Sequence, residues 1–158
     1  MLIEIYSDGS ATTKDLPGGW AFVICVEKVK VAEGSGHIPK ATNNVAEITA
    51  AISGLEYITT HDLPGVVDAA EVVLISDSKL VLGYADGSYQ CKALHLLPLM
   101  LKLRKLYRQL NATNRWERGH QGEPNNERCD ELAKVAREEL GQGNSDDKEC
   151  SKPNEDVG

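Results

Sequence analysis

Four short segments of this chain each supply one acidic residue: Asp8, Glu47, Asp77 and Asp130. If a fold brings four carboxylates together, they cannot all stay ionised without a compensating cation. Hard divalent ions such as Mg²⁺ and Mn²⁺, which prefer oxygen ligands, are the natural partners of such a group. These ions catalyse phosphoryl transfer. The acids therefore raise the hypothesis of a metal-dependent enzyme acting on phosphate esters.

The sequence around each acid indicates how it is positioned. Asp8 and Asp77 both follow apolar, strand-like runs, and a carboxylate at the end of a strand lies at the rim of a sheet, where a ligand can enter. Taken alone, Asp8 is better explained by a turn, and Asp130 by a helix N-terminus whose dipole favours negative charge. The metal hypothesis depends on all four acids together.

Hydrophobic periodicity predicts an α/β or α+β fold with a mixed sheet, and α/β is the class we favour. Three strands with short connections favour an antiparallel meander, and two later strands complete a five-stranded mixed sheet flanked by helices. The nearly continuous apolar run EVVLIS is typical of a central strand buried on both faces. The predicted strands are 2–7, 20–27, 28–36, 71–76 and 115–117, and the predicted helices are 44–60, 78–85, 93–110 and a last one that Asn125 or Asn126 caps and that ends near residue 140.

The helix predicted at 44–60 carries Glu47 beside small residues. Ala51 and Gly54 lie four and seven positions further along, on the same face as Glu47. Small side chains let a helix approach a sheet closely, so this helix is expected to deliver Glu47 to the strand ends.

Length and composition predict one globular domain over residues 1–140 and a disordered acidic tail over 141–158, a segment rich in Gly, Ser and acids. We find neither a signal peptide nor an apolar stretch long enough for a membrane span. The four cysteines, Cys25, Cys91, Cys129 and Cys150, lack metal-site spacing and are expected to be free thiols in a reducing cytoplasm.

The net charge of −7 predicts weak non-specific affinity for nucleic acid. Its distribution is uneven, because residues 91–118 contain seven basic residues and one acid, Glu117. Such a local basic stripe matters more for phosphate contact than the global sum. A solvated helix face explains the same stripe equally well.

The order D…E…D…D, in the contexts YSDGS, TNNVAEI, LISDSK and NNERCDELA, resembles the ribonuclease H family, type 1 branch. The resemblance covers roughly residues 2–140 and implies a ribonuclease H-like fold. It implies an endonuclease that hydrolyses the RNA strand of RNA–DNA hybrids by a two-metal mechanism and leaves 5′-phosphate and 3′-hydroxyl ends. The implied cofactor is a pair of Mg²⁺ ions, for which Mn²⁺ can substitute, and the expected protein is a cytoplasmic monomer.

The resemblance also implies roles for single residues. Asp8 would be shared between the metals, with Glu47 and Asp77 completing one side and Asp130 the other. His120 lies in a loop ten residues before Asp130, where the family has a histidine that assists proton transfer or product departure. A near-neutral pKa suits that work, although an exposed loop histidine is the simple alternative.

Substrate contacts are implied for six further residues. Amides of Asn43 and Asn44 would reach the minor groove of the hybrid, whose 2′-hydroxyls distinguish RNA from DNA. Thr42 would hold a DNA-strand phosphate, and Gly9 with Ser10 would let the RNA backbone approach. Simple N-capping of the helix also accounts for the Thr-Asn-Asn run.

Two features depart from the family pattern. Lys79 stands where many members have glutamine. Lys79 is the sixth expected substrate residue, because a lysine can still reach the sugar-phosphate backbone. The family's basic, Trp-containing protrusion is shortened or missing. Binding of the substrate is then expected to depend on the basic stripe, namely Lys92, Lys102, Arg104, Lys105 and Arg108.

Other functions remain open at this stage. One alternative is another nuclease of the same fold, such as a junction resolvase or an integrase, although those relatives lack the pairing of GHQG with NNERCDELA. A non-catalytic hybrid-binding module is the second alternative, and it would be expected to have lost at least one of the acids. A detached cleavage domain of a reverse transcriptase shares the motif set, so cellular and viral origins both fit.

Overall fold

The computed structural model describes residues 1–13, 15–61, 71–118 and 122–146, with side chains described up to residue 139. It contains five strands, four α-helices and one short 3₁₀ turn within those residues. In chain order they are β1 (Leu2–Ser10), β2 (Gly18–Val26), β3 (Val29–Ile38), α1 (Asn43–Thr60), β4 (Glu71–Ser76), α2 (Lys79–Asp86), the 3₁₀ turn (Leu94–Leu96), α3 (Leu97–Gln109), β5 (Thr113–Trp116) and α4 (Pro124–Asp146).

The strands form one sheet in the order β3-β2-β1-β4-β5. β1, β2 and β3 are antiparallel neighbours, whereas β4 is parallel to β1 and β5 is parallel to β4. The predicted five-stranded mixed sheet with an initial meander is confirmed. Tyr6 is paired with Ile75, so continuing the register by two residues brings Asp8 level with Asp77.

Alternating side chains of β1 point into two hydrophobic cores, one on each face of the sheet. Ile3 and Ile5 are fully buried on one face, in the core that α1, α2 and α3 cover. Tyr6 faces the other way and belongs to a smaller cluster with Cys129 of α4. α1, α2 and α3 therefore cover one face of the sheet and α4 covers the other, and both cores help to fix the end of β1.

Glycines allow a helix to pack closely on each face. A Cβ at Gly54 of α1 would lie 2.6 Å from the Ile5 side chain, which confirms the predicted role of small residues on that helix. A Cβ at Gly19 of β2 would lie 2.0 Å from the carbonyl oxygen of Ala133 in α4. Side chains at either position would push the helix away from the sheet.

β1 is longer than predicted and includes Asp8. Its pairing with β2 continues through Asp8 opposite Ala21 to Ser10 opposite Gly19. Asp8, Gly9 and Ser10 therefore do not end the strand, because the neighbouring β2 still supplies its hydrogen-bond partners.

α4 differs from its prediction at both ends. It begins at Pro124, and the carboxylate of Glu123 accepts the backbone N–H of Asn126 at 2.7 Å, so Glu123 does the capping that we predicted for an asparagine. The helix continues to Asp146, and the predicted boundary at residue 140 falls inside it. Residues 147–158 lie outside the described residues, where the disordered tail stays a prediction.

Cys25, Cys91 and Cys129 are free thiols, as predicted, and Cys150 lies outside the described residues. None of the described helices combines the length and the apolar character that a membrane span needs.

Candidate active site

Three of the four predicted acids converge at one end of the sheet. Carboxylate oxygens of Asp8, Glu47 and Asp77 all lie within 4.8 Å of one another. Asp8 comes from β1, Asp77 follows directly after β4, and Glu47 comes from the first turns of α1. Residues almost seventy positions apart are thus brought into one group by the parallel pairing of β1 with β4.

Gly9 links two of these acids. Its backbone N–H donates to Asp8 Oδ1 at 3.0 Å and to Glu47 Oε1 at 3.2 Å. A Cβ on Gly9 would lie only 2.4 Å from backbone atoms of Ala46 and Glu47. The missing side chain therefore allows α1 to rest on β1, and the shared N–H fixes the two carboxylates.

Asp130 approaches the group from α4. It lies in the second turn of that helix, one turn beyond the predicted place, and its charge raises the pKa of Asp8. Its carboxylate also forms an ion pair with Lys134 at 3.1 Å and falls outside the three-acid group. The adjacent Cys129 donates its thiol to the Tyr6 carbonyl at 3.3 Å, which anchors this part of α4 to β1.

Electrostatics of the site disfavour a fully ionised state without a cation. Burial, followed by the charges of Asp77 and Asp130, raises the pKa of Asp8 from 3.8 to about 8. Burial and the charges of Asp8 and Asp77 raise the pKa of Glu47 from 4.5 to about 9. Both carboxyls would hold protons at neutral pH unless positive charge entered the group.

Two of the three predicted substrate residues at the start of α1 form hydrogen bonds within the protein. Thr42 caps the helix by accepting the Val45 N–H at 3.3 Å, and Asn43 Oδ1 accepts the Ala11 N–H at 3.0 Å. Asn44 is exposed. The capping alternative is therefore correct for Thr42, and its hydroxyl proton and the Asn43 amide N–H groups remain available to a ligand.

Ser10 has a partner that the sequence did not suggest. Its hydroxyl accepts a hydrogen bond from Arg137 of α4 at 2.8 Å, and Ser10 is largely buried. Nothing in a single sequence connects residues 127 positions apart, so this contact required the fold.

Lys79, two residues after Asp77 at the start of α2, lies over an aromatic ring. Its ammonium nitrogen is 4.4 Å from the centroid of Trp116, and the Arg118 guanidinium is 5.8 Å from the same centroid. Trp116 Nε1 donates to the backbone carbonyl of Asp77 at 3.0 Å. Trp116 and Arg118 were not among the predicted site residues; a tryptophan at the end of an edge strand, just before the predicted His120 loop, was the available signal.

Part of the basic stripe is already engaged. Lys102 forms an ion pair with Glu56 at 3.0 Å. Arg104 donates to the carbonyl oxygens of Tyr84 and Tyr89 at 3.0 and 3.3 Å. Lys92, Lys105 and Arg108 are exposed. His120 lies outside the described residues, as do its neighbours 119 and 121.

Comparisons with known proteins agree with this geometry. Residues 2–138 match the family model of RNase H. The chain is 33% identical over 147 residues to the ribonuclease H of Baumannia cicadellinicola, covering 86% of this chain and 90% of that one. It is 34% identical over 149 residues to the ribonuclease H of Granulibacter bethesdensis, covering 87% of this chain and 93% of that one.

Solved structures show the same fold. The N-terminal RNase H domain of a Mycobacterium tuberculosis protein superimposes with a TM-score of 0.74 at 28% identity, covering 89% of this chain and 96% of that one. LC11-RNase H1, solved in complex with an RNA/DNA hybrid, superimposes with a TM-score of 0.73 at 29% identity, covering 87% of this chain and 98% of that one. From the family match, the relatives and the fold together, the chain belongs to the ribonuclease H family of hydrolytic enzymes, in its type 1 branch.

Proposed function

We propose that this protein hydrolyses the RNA strand of RNA–DNA hybrids with two divalent metal ions and leaves 5′-phosphate and 3′-hydroxyl ends. The observation that carries the proposal is the group formed by Asp8, Glu47 and Asp77, whose carboxylate oxygens lie within 4.8 Å. The hybrid seen with LC11-RNase H1 supports the choice of substrate. A cytoplasmic location and a monomeric state stay predictions.

The donor set fits hard divalent cations. All its ligand atoms are carboxylate oxygens, which suit Mg²⁺ and Mn²⁺ and disfavour softer metals. Two of the carboxyls have raised pKa values because they are buried together, so a cation would restore their ionised state. Asp8, Glu47, Asp77 and Asp130 would hold the ions. When bound, such a pair supplies positive charge for the phosphate and lowers the pKa of the attacking water.

The protein's own groups then orient the substrate. Asp8 is central, because Glu47 and Asp77 lie beside it and Asp130 approaches it from α4. Gly9 holds Asp8 and Glu47 through its N–H, and α1 fills the space of its missing side chain. A contact of Gly9 with the RNA backbone stays a prediction. His120 would move a proton at the leaving or attacking oxygen, a role that stays a prediction.

Recognition of the hybrid is assigned to the surface around the start of α1. Asn43 and Asn44 would bind 2′-hydroxyls and base edges of the minor groove, and Thr42 would bind a phosphate of the DNA strand. Ser10, fixed by Arg137, would line the path of the RNA strand. The 2′-hydroxyl is the group that makes RNA the strand that is cut.

A substrate panel tests this function. The protein is incubated in Mg²⁺ with end-labelled RNA–DNA hybrid, duplex DNA and duplex RNA, and the product ends are identified. Cleavage restricted to the RNA strand of the hybrid, with 5′-phosphate products, is expected. Cleavage of duplex DNA would favour another nuclease of this fold, and binding of the hybrid without cleavage in Mg²⁺ or Mn²⁺ would favour a binding module.

A further inference from the structure

We propose that Trp116 is a positioning residue: its indole ring holds Lys79 at the edge of the acidic group, where the Lys79 ammonium binds a backbone phosphate of the hybrid. The inference rests on the proposed function for the identity of the substrate. Trp116 would then position the lysine that replaces the glutamine found at residue 79 in many family members.

The contact geometry supports a held ammonium. Lys79 Nζ lies 4.4 Å from the Trp116 ring centroid, well inside the distance at which a cation is attracted to the face of an indole. Trp116 is itself fixed, because its Nε1–H donates to the carbonyl oxygen of Asp77 at 3.0 Å. The ring therefore links the position of Lys79 to the backbone that carries one of the acids.

The backbone restricts where this ammonium can be. Lys79 is the first residue of α2, directly after Ser78, whose hydroxyl caps the helix by accepting the Val81 N–H at 3.2 Å. It is thus two residues from Asp77, on a helix end that begins beside the acidic group. A substrate phosphate that approaches these acids passes close to Lys79.

The charge of Lys79 is available to a phosphate. Ion pairs among the described residues engage Lys28, Lys30, Lys102 and Lys134, but they do not include Lys79. Its attraction to the indole leaves the positive charge intact, since a ring carries no opposing net charge. Arg118, 5.8 Å from the same ring, adds a second cation to this edge.

Holding a lysine in advance has a consequence for binding. A free lysine side chain loses rotamer freedom when it grips a ligand, and a preorganised one loses less. In a chain of net charge −7, a cation fixed beside the acids would offset repulsion between the protein and its polyanionic substrate. Lys79 would then contribute affinity for the backbone without reading the base.

A double-mutant cycle tests the pairing. Dissociation constants for a labelled hybrid are measured in Mg²⁺ at several salt concentrations, with Asp8→Asn added to every variant to prevent cleavage. Lys79→Ala is expected to weaken binding about three- to tenfold and to reduce the slope of log Kd against log salt by about one, the signature of a lost phosphate contact. Trp116→Ala is expected to weaken binding in the presence of Lys79 and to have a clearly smaller effect in the Lys79→Ala background, where only the Arg118 contact and the hydrogen bond to the Asp77 carbonyl remain to be lost.

Conservative variants separate positioning from general damage. Trp116→Phe keeps an aromatic face beneath Lys79 but loses the hydrogen bond to the Asp77 carbonyl, so it should retain more affinity than Trp116→Ala, and Lys79→Arg should retain the salt slope. Lys30→Ala is the matched control, because it removes one exposed charge at the far end of the sheet, and its salt slope should equal that of the parent.

Two results would overturn the inference. One is an unchanged Kd and salt slope in Lys79→Ala. The other is a loss in Trp116→Ala that is equally large with and without Lys79, which would show that the ring acts independently. Cleavage by the unsubstituted protein tests the proposed function separately, because the cycle measures binding alone.

Discussion

Among the single residues of the site, burial and the repulsion between neighbouring carboxylates disfavour the ionised forms of Asp8 and Glu47. Asp8 and Glu47 share one backbone N–H donor and lie in a buried setting beside other carboxylates. A cation would relieve this repulsion, so the residues that serve the reaction are expected to reduce the stability of the metal-free fold.

The first prediction concerns Asp8→Asn without divalent metal. The pKa of Asp8 is raised from 3.8 to about 8, so its contribution to stability is full below pH 3.8 and is lost as the pH rises through about 8. Asparagine cannot ionise, and the variant should therefore melt several degrees above the parent at pH 8 in EDTA, with a smaller difference at pH 5. Thermal unfolding followed by circular dichroism measures this.

Magnesium provides the control for that comparison. It should raise the melting temperature of the parent more than that of Asp8→Asn, and more at pH 8 than at pH 5, because metal displaces protons from the carboxyls. A parent that is more stable than Asp8→Asn in EDTA at pH 8 would contradict this electrostatic account.

Gly9→Ala is the second prediction at this scale. The new methyl group would meet backbone atoms of Ala46 and Glu47 at 2.4 Å, so α1 must move. We expect a loss of about 1–3 kcal/mol in the free energy of unfolding and a fall in cleavage rate on the order of 100-fold, since a small displacement of a reacting group is costly.

Gly54→Ala on the same helix is the matched control. Its methyl group would meet Ile5 Cγ2 at 2.6 Å, so α1 must adjust there too, but this contact lies seven residues from Glu47 rather than beside it. The control should lose stability with little loss of rate in the fraction that remains folded. Equal losses of rate in both variants would show that Gly9 has no special relation to Glu47.

At the scale of elements, α4 delivers Asp130 and needs attachments beyond its apolar face. Arg128 supplies one, through two hydrogen bonds to Glu33 of β3 at 3.1 and 2.9 Å. Two hydrogen bonds in parallel fix the geometry of an ion pair better than one. Arg128 lies only two residues from Asp130, so the pair bears on the position of that acid.

We predict that Arg128→Ala lowers the urea midpoint of unfolding at neutral pH. Hydrogen bonds from Arg128 and then Lys30 lower the pKa of Glu33 from 4.5 to about 2, so the stability it adds is present above pH 4.5 and is lost as the pH falls towards 2. The difference between variant and parent should therefore shrink on acidification from pH 7 to pH 3. Glu131→Gln, which removes the negative charge of the other partner of Arg128, should have a smaller effect. A difference between Arg128→Ala and parent that does not change with pH would contradict this explanation.

The elements were largely predictable, whereas their close contacts were not. The apolar runs of β1 and β4 and the stripe on α1 predict the sheet and the helix from local sequence. A strand buried on both faces is apolar throughout, and a helix buried on one side repeats apolar residues every 3.6 positions. The link from Arg137 to Ser10 and the indole beneath Lys79 join residues far apart in the chain, so no local pattern indicates them. Glu123 was missed as the cap of α4 because asparagine is the more usual cap.

At the scale of the whole molecule, the protein combines net negative charge with a polyanionic substrate. Several cations of the basic stripe are engaged within the protein, among them Lys102 with Glu56 and Arg104 with backbone carbonyls. Binding of the hybrid must then depend on a small number of cations, so the affinity should be sensitive to screening by salt.

We predict that raising NaCl from 50 to 200 mM weakens hybrid binding on the order of 10- to 100-fold, as expected for a few phosphate contacts. Fluorescence anisotropy of a labelled hybrid with Asp8→Asn in Mg²⁺ measures this. Duplex DNA, titrated in the same way, should bind more weakly at every salt concentration. Affinity that does not change with salt would mean that contacts other than phosphates dominate.

Rates of hybrid cleavage in Mg²⁺ test the claim that the four carboxylates form one metal site. They are measured for the parent and for four variants that are each shown to be folded, namely Asp8→Asn, Glu47→Gln, Asp77→Asn and Asp130→Asn. If the four carboxylates form one metal site, each variant should lose at least two to three orders of magnitude in rate, roughly as for loss of a group that stabilises the transition state directly. A parent that cuts the hybrid equally well in EDTA, or variants that keep the parental rate, would contradict the claim.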